Sequence, residues 1–149
     1  MATKYGVNHT LKYINVPSEK VPAKEETGKV RLAYDSFVFD AELAVTDVIK
    51  LMKLPKGAKV VDAIVKAPSL GATGIFDLGY EANGVDVADP NGFVSTADFG
   101  GAAAAKRMSA EDGVFKELGA ESQVILTCTE LTAAATGKKI EVAVFYVLE

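Results

Sequence analysis

Lys138-Lys-Ile-Glu-Val-Ala-Val-Phe-Tyr-Val-Leu148 sets Ile140, Val142, Val144, Tyr146 and Leu148 at every second position. A period of two is the repeat of a β-strand, whose side chains alternate between faces, so this face is expected to be core. The run just before it, Gln123-Val-Ile-Leu-Thr-Cys-Thr-Glu130, has the same character, and Ser122–Leu131 and Lys138–Leu148 are expected to form the last strand pair. Working backward, Val30-Arg-Leu-Ala-Tyr-Asp-Ser-Phe-Val-Phe-Asp40 is rich in β-branched and aromatic residues, with Phe37, Phe39 and Arg31 on one face. Core packing accounts for that aromatic pair. Thr46–Leu54 reads as another strand, and Leu54-Pro-Lys-Gly-Ala58 as a hairpin or a corner between sheets, ahead of Lys59–Lys66.

The middle is less regular. Thr73-Gly-Ile-Phe-Asp-Leu-Gly79 reads as a short strand, Asp89-Pro-Asn-Gly92 as a turn, and the alanines of residues 96–108 as one short helix capped by Thr96 or Asp98. Seven or eight strands with at most one short helix make an all-β domain, a sandwich or a closed barrel. The length of 149 residues suits one domain, and 49% hydrophobic residues supply a core, which excludes wholesale disorder.

Residues 1–29 differ from the rest. Five lysines stand there against three glutamates, a balance of +2, and residues 30–149 carry −6 of the chain's net −4. Val16–Gly28, with Pro17 and Pro22 and no apolar period, reads as extended, so residues 1–29 are expected to form an extended N-terminal arm and 30–149 the sandwich. The first half of the arm nevertheless carries Tyr5, Val7, Leu11, Tyr13, Ile14 and Val16, too much apolar side chain for a solubility tail. It is expected to lie on a partner.

Catalytic chemistry finds few groups to use. His9, in the arm, is the single histidine and Cys128 the single cysteine, so neither a disulfide nor a zinc site is expected. His9 reads as an exposed or partner-facing imidazole, and Cys128 as a small buried residue. Asp86-Val-Ala-Asp-Pro-Asn-Gly92 lacks the alternating ligands of a calcium loop and reads as an Asx-Pro turn. Gly71–Gly74 and Gly100-Gly101 do not stand between a strand and a helix, as a phosphate loop must, and read as turns. Lys50, Lys53, Lys56 and Lys59 read as solvated lysines guarding a sheet edge. No catalytic residue, metal or cofactor is expected. The mild acidity argues against a nucleic-acid partner, and apolar stretches under ten residues argue against a membrane span.

Val30-Arg-Leu-Ala-Tyr-Asp-Ser-Phe, Asp47-Val-Ile-Lys-Leu-Met-Lys-Leu-Pro-Lys-Gly-Ala-Lys-Val60 and Ala67-Pro-Ser-Leu-Gly-Ala-Thr-Gly-Ile-Phe-Asp-Leu-Gly79 together resemble small virion structural proteins of tailed bacteriophages, of the capsid decoration or cement type. The resemblance spans about residues 5–80, including Tyr5-Gly-Val-Asn, and continues beyond only in strand character. It implies a jelly-roll-type β-sandwich, made in the host cytoplasm, that binds the outer surface of an icosahedral shell. The implied partners are the major capsid protein and further copies of the chain, as a dimer or trimer. Arm residues Tyr5, Val7, His9, Leu11, Tyr13, Ile14 and Val16 are then the expected contacts. A head-fibre base, a tail protein and a carbohydrate-binding sandwich are the alternatives. The absence of tryptophan weighs against the last.

Overall fold

Alternating side chains bury half of each strand only if two sheets face one another, and this chain satisfies the alternation by placing successive strands in opposite sheets, except for the hairpin of the fourth and fifth. The computed structural model describes residues 7–21, 28–39, 43–131 and 135–148. Its strands are β1 (Val30–Val38), β2 (Val48–Leu54), β3 (Lys59–Ala67), β4 (Gly74–Tyr80), β5 (Asp89–Asp98), β6 (Ala104–Arg107), β7 (Ser122–Leu131) and β8 (Lys139–Val147). One sheet has the order β1-β8-β3-β6 and the other β2-β7-β4-β5, with every pairing antiparallel. First pairs with last, second with seventh, third with sixth and fourth with fifth. That nesting is the jelly roll.

The turn at Leu54–Ala58 is a corner between sheets, because β2 and β3 lie in different sheets. The Ala58 N–H donates to the Pro55 carbonyl at 3.1 Å, and Gly57 supplies a φ of +81°. The expected pairing of the last two strands is corrected: β7 pairs with β2 and β4, and β8 with β1 and β3. Each carries an apolar face, Val124, Leu126 and Cys128 on β7 and Ile140, Val142 and Val144 on β8. Opposing those faces across the core buries both at once.

The expected helix within residues 96–108 is corrected as well. Thr96–Asp98 ends β5, Phe99 is buried, and Ala104–Arg107 is β6, paired with Ile64–Ala67. Gly100 and Gly101 interrupt the alanine run, and the open edge of β3 offers backbone partners that outweigh a weak helical preference. The two glycine turns meet, Gly101 N–H donating to the Gly71 carbonyl at 2.7 Å. Asp89–Gly92 also lies inside a strand assignment, yet keeps its turn character as a wide bulge: Leu78 pairs with Val94 and Tyr80 with Asp89, so four residues stand opposite Gly79 alone. A Cβ at Gly79 would sit 1.9 Å from the Asp89 carbonyl oxygen, so this approach requires glycine.

The core runs through both sheets. Phe39, Phe76, Phe93 and Phe99 are its large aromatics, and the rings of Phe39 and Phe76 lie 6.0 Å apart. Phe37 meets Phe39 edge-on at 5.4 Å, as the shared face of β1 predicts. A register shift between Val60 and Asp62 changes the parity of β3, so Val60, Ala63 and Val65 all face inward. Tyr146 and Leu148 of the final face are only partly buried, at the margin of the core.

Candidate functional site

Exposed large apolar side chains among the described residues mark the candidate site, a set of surfaces. The first is the N-terminal segment. Tyr5 lies outside the described residues. The expectation of extended chain is corrected for residues 7–14, which form a helical turn, Val7–His9, continued by a wider π-helical turn, Thr10–Ile14. This stretch has no proline, and Val7, Leu11 and Ile14 recur at helical spacing, a signal the reading for extended chain passes over. The turn closes through Asn15 N–H donating to the Thr10 carbonyl at 2.9 Å, and Glu19 N–H to that of Leu11 at 2.8 Å.

That turn leaves the expected contact residues outward. Val7 is 77% exposed, Tyr13 65% and Val16 96%, with Ile14 also exposed and Leu11 half-buried. The exposed His9 ring tilts against Tyr13 at 5.0 Å, and Lys12 Nζ stands 5.4 Å from the Tyr13 ring centre. Cys128 is wholly inside the sandwich, where burial, with Asp47 adding to it, pushes its thiol pKa up. Buried and raised in pKa, this thiol has the character of an inert core cysteine.

The second surface is the outer face of the β1-β8-β3-β6 sheet. Val30, Leu32, Tyr34 and Val38 all point outward from β1. Directly opposite residues share a face, so Phe145 and Ala143 of β8 and Ile64 of β3 continue the surface. Tyr34, Ile64, Ala143, Lys66 and Glu141 line a depression of about 170 Å³. Tyr34 Oη donates to Glu141 Oε1 at 2.6 Å, which raises the tyrosine pKa and, with Lys139, lowers that of the glutamate. The Phe37 and Phe39 face of this strand was the one expected to be buried. The signal for the other was present: the even positions Val30, Leu32, Tyr34 and Val38 are more apolar than Arg31, Ala33, Asp35 and Phe37.

A third surface is at one end of the sandwich, where Val85, Val87 and Phe115 are exposed. Asn83 anchors its loop. Its Oδ1 accepts from the N–H groups of Val85 and Asp86, and its Nδ2 donates to Ser122 Oγ at 2.7 Å and Asp86 Oδ2 at 2.8 Å. Asp86 also accepts from Gly119 N–H at 2.8 Å and pairs with Lys116 at 3.1 Å. The Asn83 bond, then Gly119 and Lys116, hold its carboxyl below the usual range, against desolvation. It is thus bound within the fold, not a solvated turn residue. Asp89 and Asp112 line the neighbouring cleft with Tyr80, but no group of three or more metal-ligating side chains occurs among the described residues.

A group with a depressed folded-state pKa stabilises the fold above its unfolded pKa and loses that contribution as pH falls through the folded value. Asp86→Asn is therefore expected to cost about 1–2 kcal/mol at pH 7, since an amide turns an NH2 toward one of these donors. The gap from wild type should narrow as pH falls through the acid range. Urea denaturation at neutral and acid pH checks both parts.

Of the four lysines expected at a sheet edge, Lys50 and Lys53 lie on edge strand β2 and pair with Glu81 and Glu121, each at 3.0 Å, whereas Lys56 lies in the turn and Lys59 opens β3, an inner strand. No described helix is long and apolar enough to cross a membrane.

No family model and no curated protein matches the chain. Solved structures share its fold. A chain in the capsid of Ralstonia phage GP4 aligns with a TM-score of 0.69 over 95% of this chain and 96% of its own, at 21% identity. A chain in the cyanophage Pam1 capsid asymmetric unit aligns at 0.63 over 87% of this chain and 92% of its own, at 18% identity. A third, in the acidic stable capsid structure of Helicobacter pylori bacteriophage KHP30, aligns at 0.56 over 80% and 87%, at 20% identity.

Proposed function

We propose that this chain is a non-enzymatic structural protein of a phage virion, a decoration or cement protein that binds the outer surface of an icosahedral head and bridges neighbouring coat subunits. The observation that carries the reading is the shared fold with a chain of the GP4 capsid over nearly the whole of both chains. The likeness takes in the whole sandwich rather than one of its sheets. The exposed apolar side chains of residues 7–16 support it, because they give the protein something to bury on a coat lattice.

The physical logic needs no active site. A protein that binds the assembled lattice and not the free subunit stabilises assembly by mass action. Ordering an arm opposes binding, yet lets a small domain cover a large surface. The major capsid protein is the proposed partner, with further copies of this chain beside it. The acidic sandwich disfavours packaged DNA as a partner.

Quantitative mass spectrometry of gradient-purified particles from lysates in which the chain is made tests this reading. A ratio to the major coat protein near one, or a simple fraction such as about one third, is the expected result for a lattice-wide protein on a symmetric shell. A few copies per particle would move it to a vertex or tail. Absence would overturn the virion role.

A further inference from the structure

A sandwich of two open sheets has four edges, and an unguarded edge is a template for another strand. Three edges here are blunted. Strand β2 carries Lys50 and Lys53 and a register shift between them. Strand β5 contains Pro90 and the wide bulge, and β6 is four residues long and ends in Lys106 and Arg107. Strand β1 has no lysine, proline or bulge, and its two charges, Arg31 and Asp35, are of opposite sign. It runs nine residues without proline, pairs with β8 without a register shift, and has no other strand beside it among the described residues. Alternate N–H and C=O groups of β1 therefore face away from β8 toward the open side.

The sequence of this edge is complementary to itself. Turn a second copy about a two-fold axis at Ala33, so that the two β1 strands run antiparallel with Ala33 opposite Ala33. Arg31 then stands opposite Asp35 of the other copy, twice over. Leu32 stands opposite Tyr34, also twice. Among the described residues of one copy, Arg31 makes no ion pair and the Asp35 carboxylate accepts from Ser36 N–H at 2.8 Å. Leu32 and Tyr34 are 57% and 53% exposed. Shifting the register by one residue on either strand removes the charge match and turns the apolar pairs to opposite faces.

We propose that β1 is a self-association surface, joining two copies by antiparallel β1–β1 pairing about Ala33 into a continuous eight-stranded sheet. The proposal deepens only the self-association in the reading above. Its test uses the isolated protein, so particle binding and pairing can fail separately.

The experiment is analytical ultracentrifugation of the full chain with Arg31→Asp, Asp35→Arg, and the two variants mixed. Wild type is expected to sediment as a dimer. Each single variant, by setting two like-charge pairs across the interface, should raise the dimer Kd at least about tenfold. Mixing them in equal amounts should restore association, because one variant presents two carboxylates and the other two guanidinium groups. A second measurement avoids any loss of folding: Leu32→Cys and Tyr34→Cys proteins, oxidised together, should form a mixed disulfide. Each alone should not, because identical positions lie diagonally, roughly 7–8 Å apart, too far for the bond. A wild type monomeric at about 100 µM, a trimer, a mixture that stays apart, or cross-linking of either cysteine variant alone would overturn the proposal.

Discussion

Val144→Asp is expected to abolish the native state. Val144 is fully buried on β8 and lies between Ala33 of β1 and Ala63 of β3, so the new carboxylate would enter the core with no partner. An unpaired charge there costs several kcal/mol even after its pKa rises, and the lost valine contact adds roughly 1.5–3 kcal/mol. Against a total stability of about 5–15 kcal/mol, that removes most or all of the margin. Near-UV circular dichroism and thermal melting measure the outcome, with Ser36→Asp on the outward face of β1 as the control. A cooperative, native-like Val144→Asp protein would mean that the last strand faces the other way.

Deletion of residues 2–16 is expected to have the opposite profile, with an intact sandwich and no capsid binding. None of the described residues 7–16 belongs to the hydrophobic core, and the Asn15 N–H bond to Thr10 closes within the segment itself. Melting temperature should therefore stay within a few degrees of the full chain. Binding should weaken at least about a hundredfold, since burial of two or three of these exposed side chains is worth roughly 3–5 kcal/mol before the ordering cost is subtracted. Co-sedimentation of each form with undecorated heads compares them directly. Equal binding by the truncated protein would remove the arm from the proposed contact, and pairing through β1 would be unaffected.

The two results probe different depths of the sequence. Period-two alternation at Ile140–Val144, the turn residues Pro55 and Gly57, and the guarded lysines of β2 were legible in one dimension because each depends on near neighbours. So was the burial of Cys128, which sits in an alternating run. The helix expected within residues 96–108 shows where local preference stops. Alanines favour a helix by tenths of a kcal/mol each, whereas the edge of β3 offers Ala104–Arg107 a row of backbone hydrogen bonds. In the arm the error ran the other way, since the prolines after residue 16 coloured the reading of a segment that precedes them.

The amino-acid sequence alone determined that this is an all-β domain and which faces of β1, β7 and β8 turn inward. Those properties follow from the alternation and the supply of side chains. Only the tertiary structure decided that β7 and β8 lie in opposite sheets and that Asn83 and Asp86 tie two loops together. It likewise decided that β1 ends a sheet with its second apolar face uncovered. Each of these depends on which distant segments become neighbours, and that choice is made by the simultaneous burial of two sheets rather than by any local run of residues.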